Sequence, residues 1–157
     1  MSPHELLLPI QLWGLKTHAI FDVWSIEHFV MGINTYFLVG LLCKKRWFTA
    51  MFAPTLGGML AAVFMVSCLW ELTEFYMETG YVNAWLTHWL QGVEHPLNRM
   101  VADPAMMLLG AMLASRCTSP WLVPVVARVF SLAWLYLHLF ILEDSMKLQE
   151  ALDGFIN

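Results

Sequence analysis

Residues 48–70 contain no acidic or basic side chain and no histidine. A helix of about 20 mostly apolar residues spans the hydrocarbon core of a bilayer, and in lipid only helices and closed barrels satisfy their own backbone polar groups. Residues 29–43 and 129–142 are likewise free of Asp, Glu, Lys and Arg. The chain of 157 residues is 59% hydrophobic and 13% charged, against about 45–50% and about 25% in soluble domains. A soluble fold of this size leaves too much of its surface facing water to hide that excess. The reading is an all-α polytopic membrane protein forming one domain over 1–157. It is a four-helix transmembrane bundle with spans at about 21–43, 48–76, 100–116 and 120–142, flanked by short interfacial helices.

Basic residues mark cytoplasmic loops. Lys44, Lys45 and Arg46 follow the first span and Arg116 the third, whereas Lys16, Arg99 and Lys147 fall on the opposite side. The cluster beside the first span places both termini and the loop 77–98 outside, which in a bacterial inner membrane is the periplasm. The N-terminus lacks a basic region before its apolar residues, so no cleaved signal is expected. With a net charge of −4 there is no basic face for nucleic acid. Cys43, Cys68 and Cys117 sit in or beside apolar runs, where cysteine acts as a small hydrophobe.

Two flanking segments read as interfacial. Leu6, Leu7, Leu8, Ile10, Leu12 and Trp13 suggest a short helix broken at Pro9. In the outer loop Trp85, Leu86, Trp89 and Leu90 recur at helical spacing, as expected of a helix lying on the membrane surface, the sharper alternative being a lid over a site. Leu148, Leu152 and Phe155 fit one face of a C-terminal helix.

Most ionisable residues of the spans fall at one membrane face. Asp22, Glu27 and His28 open the first span, and Glu71, Glu74 and Glu78 close the second. Arg99 and Asp103 open the third, and His138, Glu143 and Asp144 end the fourth. Alternating span direction gathers all of them at the outer face. Charges within spans are costly unless paired or facing a wet cavity. Glu71, Glu74 and Glu78 share one helix face, and Arg99 and Asp103 stand at i and i+4, where they can pair. Glu27 and His28 diverge by about 100° and need different partners. Gly32, on the His28 stripe, lets another helix come close. Asp22 reads as a helix cap, and Asn34 as isolated.

The set Glu71-x-x-Glu74 with His28 and His138 offers carboxylate and imidazole groups, yet the repeated Glu-x-x-His pair of di-iron bundles is missing. No metal ligand and no cofactor is assigned. The methionines are read as membrane packing.

His28-Phe29 with Gly32, then Trp70-Glu71-x-x-Glu74, then Asn98-Arg99-x-x-x-Asp103 with Gly110-Ala111 form a spaced pattern. It resembles the VanZ-like superfamily of small bacterial membrane proteins, including its YjdF-type relatives, over residues 22–115. Trp24 stands where the family usually has an aspartate, and Met107 where it often has an asparagine. The resemblance implies that His28, Glu71 or Glu74, Arg99, Asp103 and Gly110 are the positions that matter.

These features predict an inner-membrane protein whose outward-facing polar pocket engages an anionic lipid headgroup or an envelope precursor. His28, Glu71, Glu74, Arg99 and Asp103 are its ligand-binding residues, with Arg99 as the anion contact. Gly32 and Gly110 are structural. Membrane lipids are the expected partners. No nucleophile motif or nucleotide fingerprint occurs, and catalysis stays open, acid–base work by a buried glutamate being the kind this set supports. Two alternatives stand beside this reading: a non-catalytic accessory subunit bound to a membrane-protein partner, and a membrane metal or redox-cofactor protein.

Overall fold

A computed structural model describes residues 10–117, 119 and 121–156, with the backbone alone at 156. The described chain begins with two short parallel strands, β1 (Gln11–Trp13) and β2 (Ala19–Phe21), in the register Gln11 to Ala19 and Trp13 to Phe21. A strand therefore replaces the expected interfacial helix at Leu12 and Trp13, while Leu6, Leu7 and Leu8 lie outside the described residues. The turn between the strands is closed by the amides of His18 and Ala19 on Leu15 O. It carries Lys16 inward.

Helix α1 (Val23–Leu42) follows directly and agrees closely with the first expected span. Asp22 caps it, accepting the amides of Trp24 at 2.7 Å and Ser25 at 3.1 Å, while the amide of Asp22 donates to Ser25 Oγ. The amide of Val23 donates to Gln149 Oε1 at 2.9 Å. Amides that a helix start leaves without partners are thus satisfied in an apolar setting. Gln149 belongs to α7 (Lys147–Ile156), which folds back onto the start of α1.

The second expected span begins later than the hydropathy alone suggests. A single turn, α2 (Arg46–Thr49), ends before Pro54, and α3 (Leu56–Glu78) starts from Thr55, whose hydroxyl accepts the amide of Gly58. Proline disfavours helical backbone at the residue before it, so the chain breaks there. The short helix α4 (Ala84–Leu90) comes next, then a π-helical turn (Asn98–Ala102) leading into α5 (Asp103–Arg116). Helix α6 (Leu122–Tyr136) continues through a second π-helical turn (Leu137–Ile141). The expected start of the last span at Pro120 lies outside the described residues.

Among the described residues the protein is all-α apart from the strand pair, and three helical segments are long and apolar enough to cross a membrane: Val23–Leu42, Leu56–Glu78 and Leu122–Ile141. The third expected span is not among them. Helix α5 has 14 residues and carries an aspartate and a proline in its first turn. It is the central element, packed most extensively against α1 and also against α3. Its Met107, Gly110, Ala111 and Ala114 are buried. Outward faces of the long helices stay apolar and exposed, as at Leu38, Leu69, Leu72, Val129 and Leu132.

Glycines set the closeness of the central crossing. A Cβ at Gly32 would stand 2.0 Å from Met107 O, and one at Gly110 would stand 1.9 Å from Phe29 O. Each helix thus presses its backbone into the other's glycine, the arrangement that small residues permit between membrane helices. Gly32→Ala or Gly110→Ala is expected to lower stability by about 3 kcal/mol, because backbone rather than a flexible side chain must move. Gly57→Ala, with open space around it, leaves stability unchanged or raises it by up to about 1 kcal/mol. Denaturation of the detergent-solubilised variants checks the contrast, and equal effects at the three glycines would disprove it.

Candidate functional site

The start of α1, the end of α3 and the start of α5 meet at one end of the bundle, and their polar side chains point into it. Glu78, in the last turn of α3, is fully enclosed. Its carboxylate accepts from Lys16 Nζ, from Arg99 Nη2 and from the amide of Glu94, the last at 3.0 Å. Arg99 is surrounded further by Glu94 Oε2 at 3.3 Å, Glu71 Oε2 at 3.9 Å and the Phe75 ring at 5.3 Å. Lys16 Nζ lies 4.0 Å from Glu74 Oε1.

A second group adjoins it. His28 Nδ1 stands 3.0 Å from Trp24 O and 3.3 Å from Asp103 Oδ2, and Nε2 stands 3.2 Å from Glu71 Oε1. Ser25 Oγ donates to Asp103 Oδ1 at 2.9 Å, and Asn98 Nδ2 donates to Asp22 Oδ2 at 3.0 Å. Asp22, Asn98 and Asp103 are inaccessible to solvent.

All five expected binding residues, His28, Glu71, Glu74, Arg99 and Asp103, therefore converge. One expected pairing is corrected: Arg99 does not bridge to Asp103 among the described ion pairs. The π-helical turn offsets their alignment, Glu78 attracts the guanidinium more strongly with Glu94 Oε2 beside it, and Ser25 and His28 hold Asp103. Asn34, read as isolated, donates to Ser131 Oγ on α6 at 3.1 Å. Glu143 stays at the surface beside Lys147, outside the cluster. His138 is buried apart from the carboxylates, between the rings of Trp24 and Trp134 at 4.5 and 5.1 Å. Sequence reasoning missed Lys16 and Glu94 as members, since both lie in loops without periodicity. The available signal was the cost of leaving three glutamates in α3 without enough cations.

Beside the cluster, α1, α3, α4 and α6 line an open cavity of about 320 Å³. Its walls are apolar and rich in indole, with Trp24, Trp70, Trp89 and Trp134, while Glu27, His28 and Glu74 supply its ionisable groups. Leu86, Trp89 and Leu90 of α4 line it as well, so this helix covers one side of the cavity. Two of the lining residues carry a polar atom, Glu27 Oε2 and Trp134 Nε1, that is buried without a hydrogen-bond partner.

Glu94 lies in the loop before the π-helical turn. Burial, and then the charges of Glu74 and Asp103, push its carboxyl up to about 11 from an ordinary 4.5, against the pull of Lys16 and Arg99. Glu78 already takes both of those cations, so Glu94 holds its proton at neutral pH. Between these two values the unfolded chain binds fewer protons than the folded one, so stability falls as pH rises, by up to about 1.4 kcal/mol per pH unit. Glu94→Gln is expected to flatten that slope between pH 6 and pH 9 in denaturation experiments. Glu78→Gln, which strands Lys16 and Arg99 without their shared anion, should cost about 3–5 kcal/mol at pH 7. Unaltered stability of Glu78→Gln would contradict the central role of this carboxylate.

No family model matches this chain, and no curated protein or solved structure does either.

Proposed function

We propose that this is a multi-pass protein of the bacterial inner membrane that binds an amphiphilic membrane lipid or envelope precursor in the indole-lined cavity. In this reading the segment from Asn98 through Arg116 is the third of four spans. Its π-helical turn and α5 add up to about 28 Å at about 1.5 Å per residue, close to the thickness of the hydrocarbon core. The polar end faces the periplasm, as the Lys44, Lys45, Arg46 cluster at the other end requires.

The cavity lining carries the proposal. Tryptophan and leucine walls suit acyl or isoprenoid chains, and the unpartnered Glu27 Oε2 and Trp134 Nε1 ask for a head that both donates and accepts hydrogen bonds. The expected anion contact through Arg99 finds no support, because Glu78 and Glu94 occupy that guanidinium and the cavity is lined by carboxylates without lysine or arginine. An amine- or hydroxyl-bearing head fits better than an anionic one, and indole faces add cation–π attraction for an ammonium group.

Native mass spectrometry of the purified protein with phosphatidylethanolamine and phosphatidylglycerol tests this. Phosphatidylethanolamine is expected to bind preferentially, and Glu27→Gln to weaken it by about tenfold, the worth of one hydrogen bond to a charged group. Preference for phosphatidylglycerol would overturn the head chemistry. A lipid-free chain bound to a stoichiometric protein partner would favour the accessory-subunit alternative.

A further inference from the structure

The polar cluster holds more carboxylate than its cations neutralise. Asp22, Glu71, Glu74, Glu78 and Asp103, with Glu94 keeping its proton, face Lys16 and Arg99, both of which contact Glu78 most closely. Asp22 and Asp103 are supported by neutral donors, Asn98 and Ser25. Glu71 is left without comparable support. It is 5% exposed, and the His28 ring, with Nε2 3.2 Å from Oε1, is the one close donor its oxygens have among the described residues. Arg99 Nε stays 3.9 Å away, and leaving a buried carboxylate so poorly compensated is costly.

Its nearest neighbour is His28 Nε2, also buried and without another hydrogen-bond partner among the described residues. The other ring nitrogen faces two acceptors, Trp24 O and Asp103 Oδ2, so Nδ1 carries a proton, and Nε2, which faces Glu71 Oε1, is the nitrogen a metal ion would take in exchange for a proton. A backbone carbonyl and a carboxylate that fix the tautomer in this way are the usual outer partners of a metal-ligating histidine. Glu74, one helical turn from Glu71, completes a set in which His28, Glu71 and Glu74 each place a ligand atom within 4.8 Å of the others. Ligand atoms about 2.0–2.2 Å from a common ion stand about 3–4 Å apart, so the set needs only a small closure.

We propose that His28, Glu71 and Glu74 form a binding site for one divalent transition-metal ion, of which Zn2+ is the best match. An imidazole with two carboxylates suits this class of ion better than Mg2+ or Ca2+, which prefer all-oxygen sets. His28 and Glu74 also line the cavity, which gives the ion its access and leaves its remaining coordination positions facing that space. The ion offsets the charge that Lys16 and Arg99 leave uncompensated. This site is separable from the lipid-head contact, since Glu71 does not line the cavity and Glu27 is not in the ligand set.

The test is equilibrium dialysis of the chelator-stripped, detergent-solubilised full chain against zinc chloride, read by elemental analysis. One zinc per chain is expected, with His28→Ala and Glu71→Gln each weakening binding at least about a hundredfold. Glu27→Gln and the exposed His88→Ala should bind zinc as the unaltered chain does. Where either ligand variant loses its helical circular dichroism, Glu74→Gln replaces it with the same expected loss, because the Glu74 side chain is partly exposed. An unaltered chain that retains no stoichiometric zinc overturns the proposal. So does undiminished binding by the folded ligand variants, or loss of zinc in His88→Ala. Lipid selectivity measured in the presence of chelator reports separately on the cavity.

Discussion

Glu78 gathers Lys16 from the strand turn, Arg99 from the π-helical turn and the amide of Glu94 from the intervening loop. Its carboxylate ends the longest helix, where an unpaired charge would otherwise enter an apolar environment. The three donors come from segments far apart in the chain, and Lys16 is separated from Glu78 by 62 positions. Satisfying this one anion therefore fixes how the strand pair, the outer loop and the start of α5 sit on the bundle. Removing one partner from such a network costs more than the network contributes as a whole, because the stranded charges remain buried.

A second constraint acts at mid-height. Gly32 and Gly110 let α1 and α5 approach until backbone touches backbone. That distance brings Ser25 within reach of Asp103 and His28 within reach of both Asp103 and Glu71. Packing and electrostatics are coupled here: the glycine crossing sets the spacing at which the polar side chains can satisfy one another. The cap of α1 belongs to the same system, since Asp22 accepts two helix amides with one oxygen and Asn98 with the other.

Much of the site was legible. The i, i+3, i+7 spacing of Glu71, Glu74 and Glu78 marks one helix face, and alternating helix direction brings that face to the start of α1 and the start of α5. The divergence of Glu27 from His28 is also local geometry; Glu27 turns to the cavity and His28 to the carboxylates. The Arg99 and Asp103 pairing was misread because spacing reports which groups can meet, not which competitor binds harder. Lys16 and Glu94 escaped notice because loop residues have no period. Pro54 shows how one backbone restriction shifts a helix start that hydropathy places several residues earlier.

The sequence by itself determined the solvent, the helical class and the end of the molecule at which charge collects. Hydropathy and helical periodicity are properties of neighbouring residues and need no partner to be read. Only the tertiary structure decided that Arg99 is spent on Glu78 and Glu94, that α4 lines an indole-rich cavity, and that Glu71 faces the Nε2 of His28 while Nδ1 is held by Trp24 O. Each of these is a competition among groups distant in the chain, resolved by distance and burial once the helices have packed.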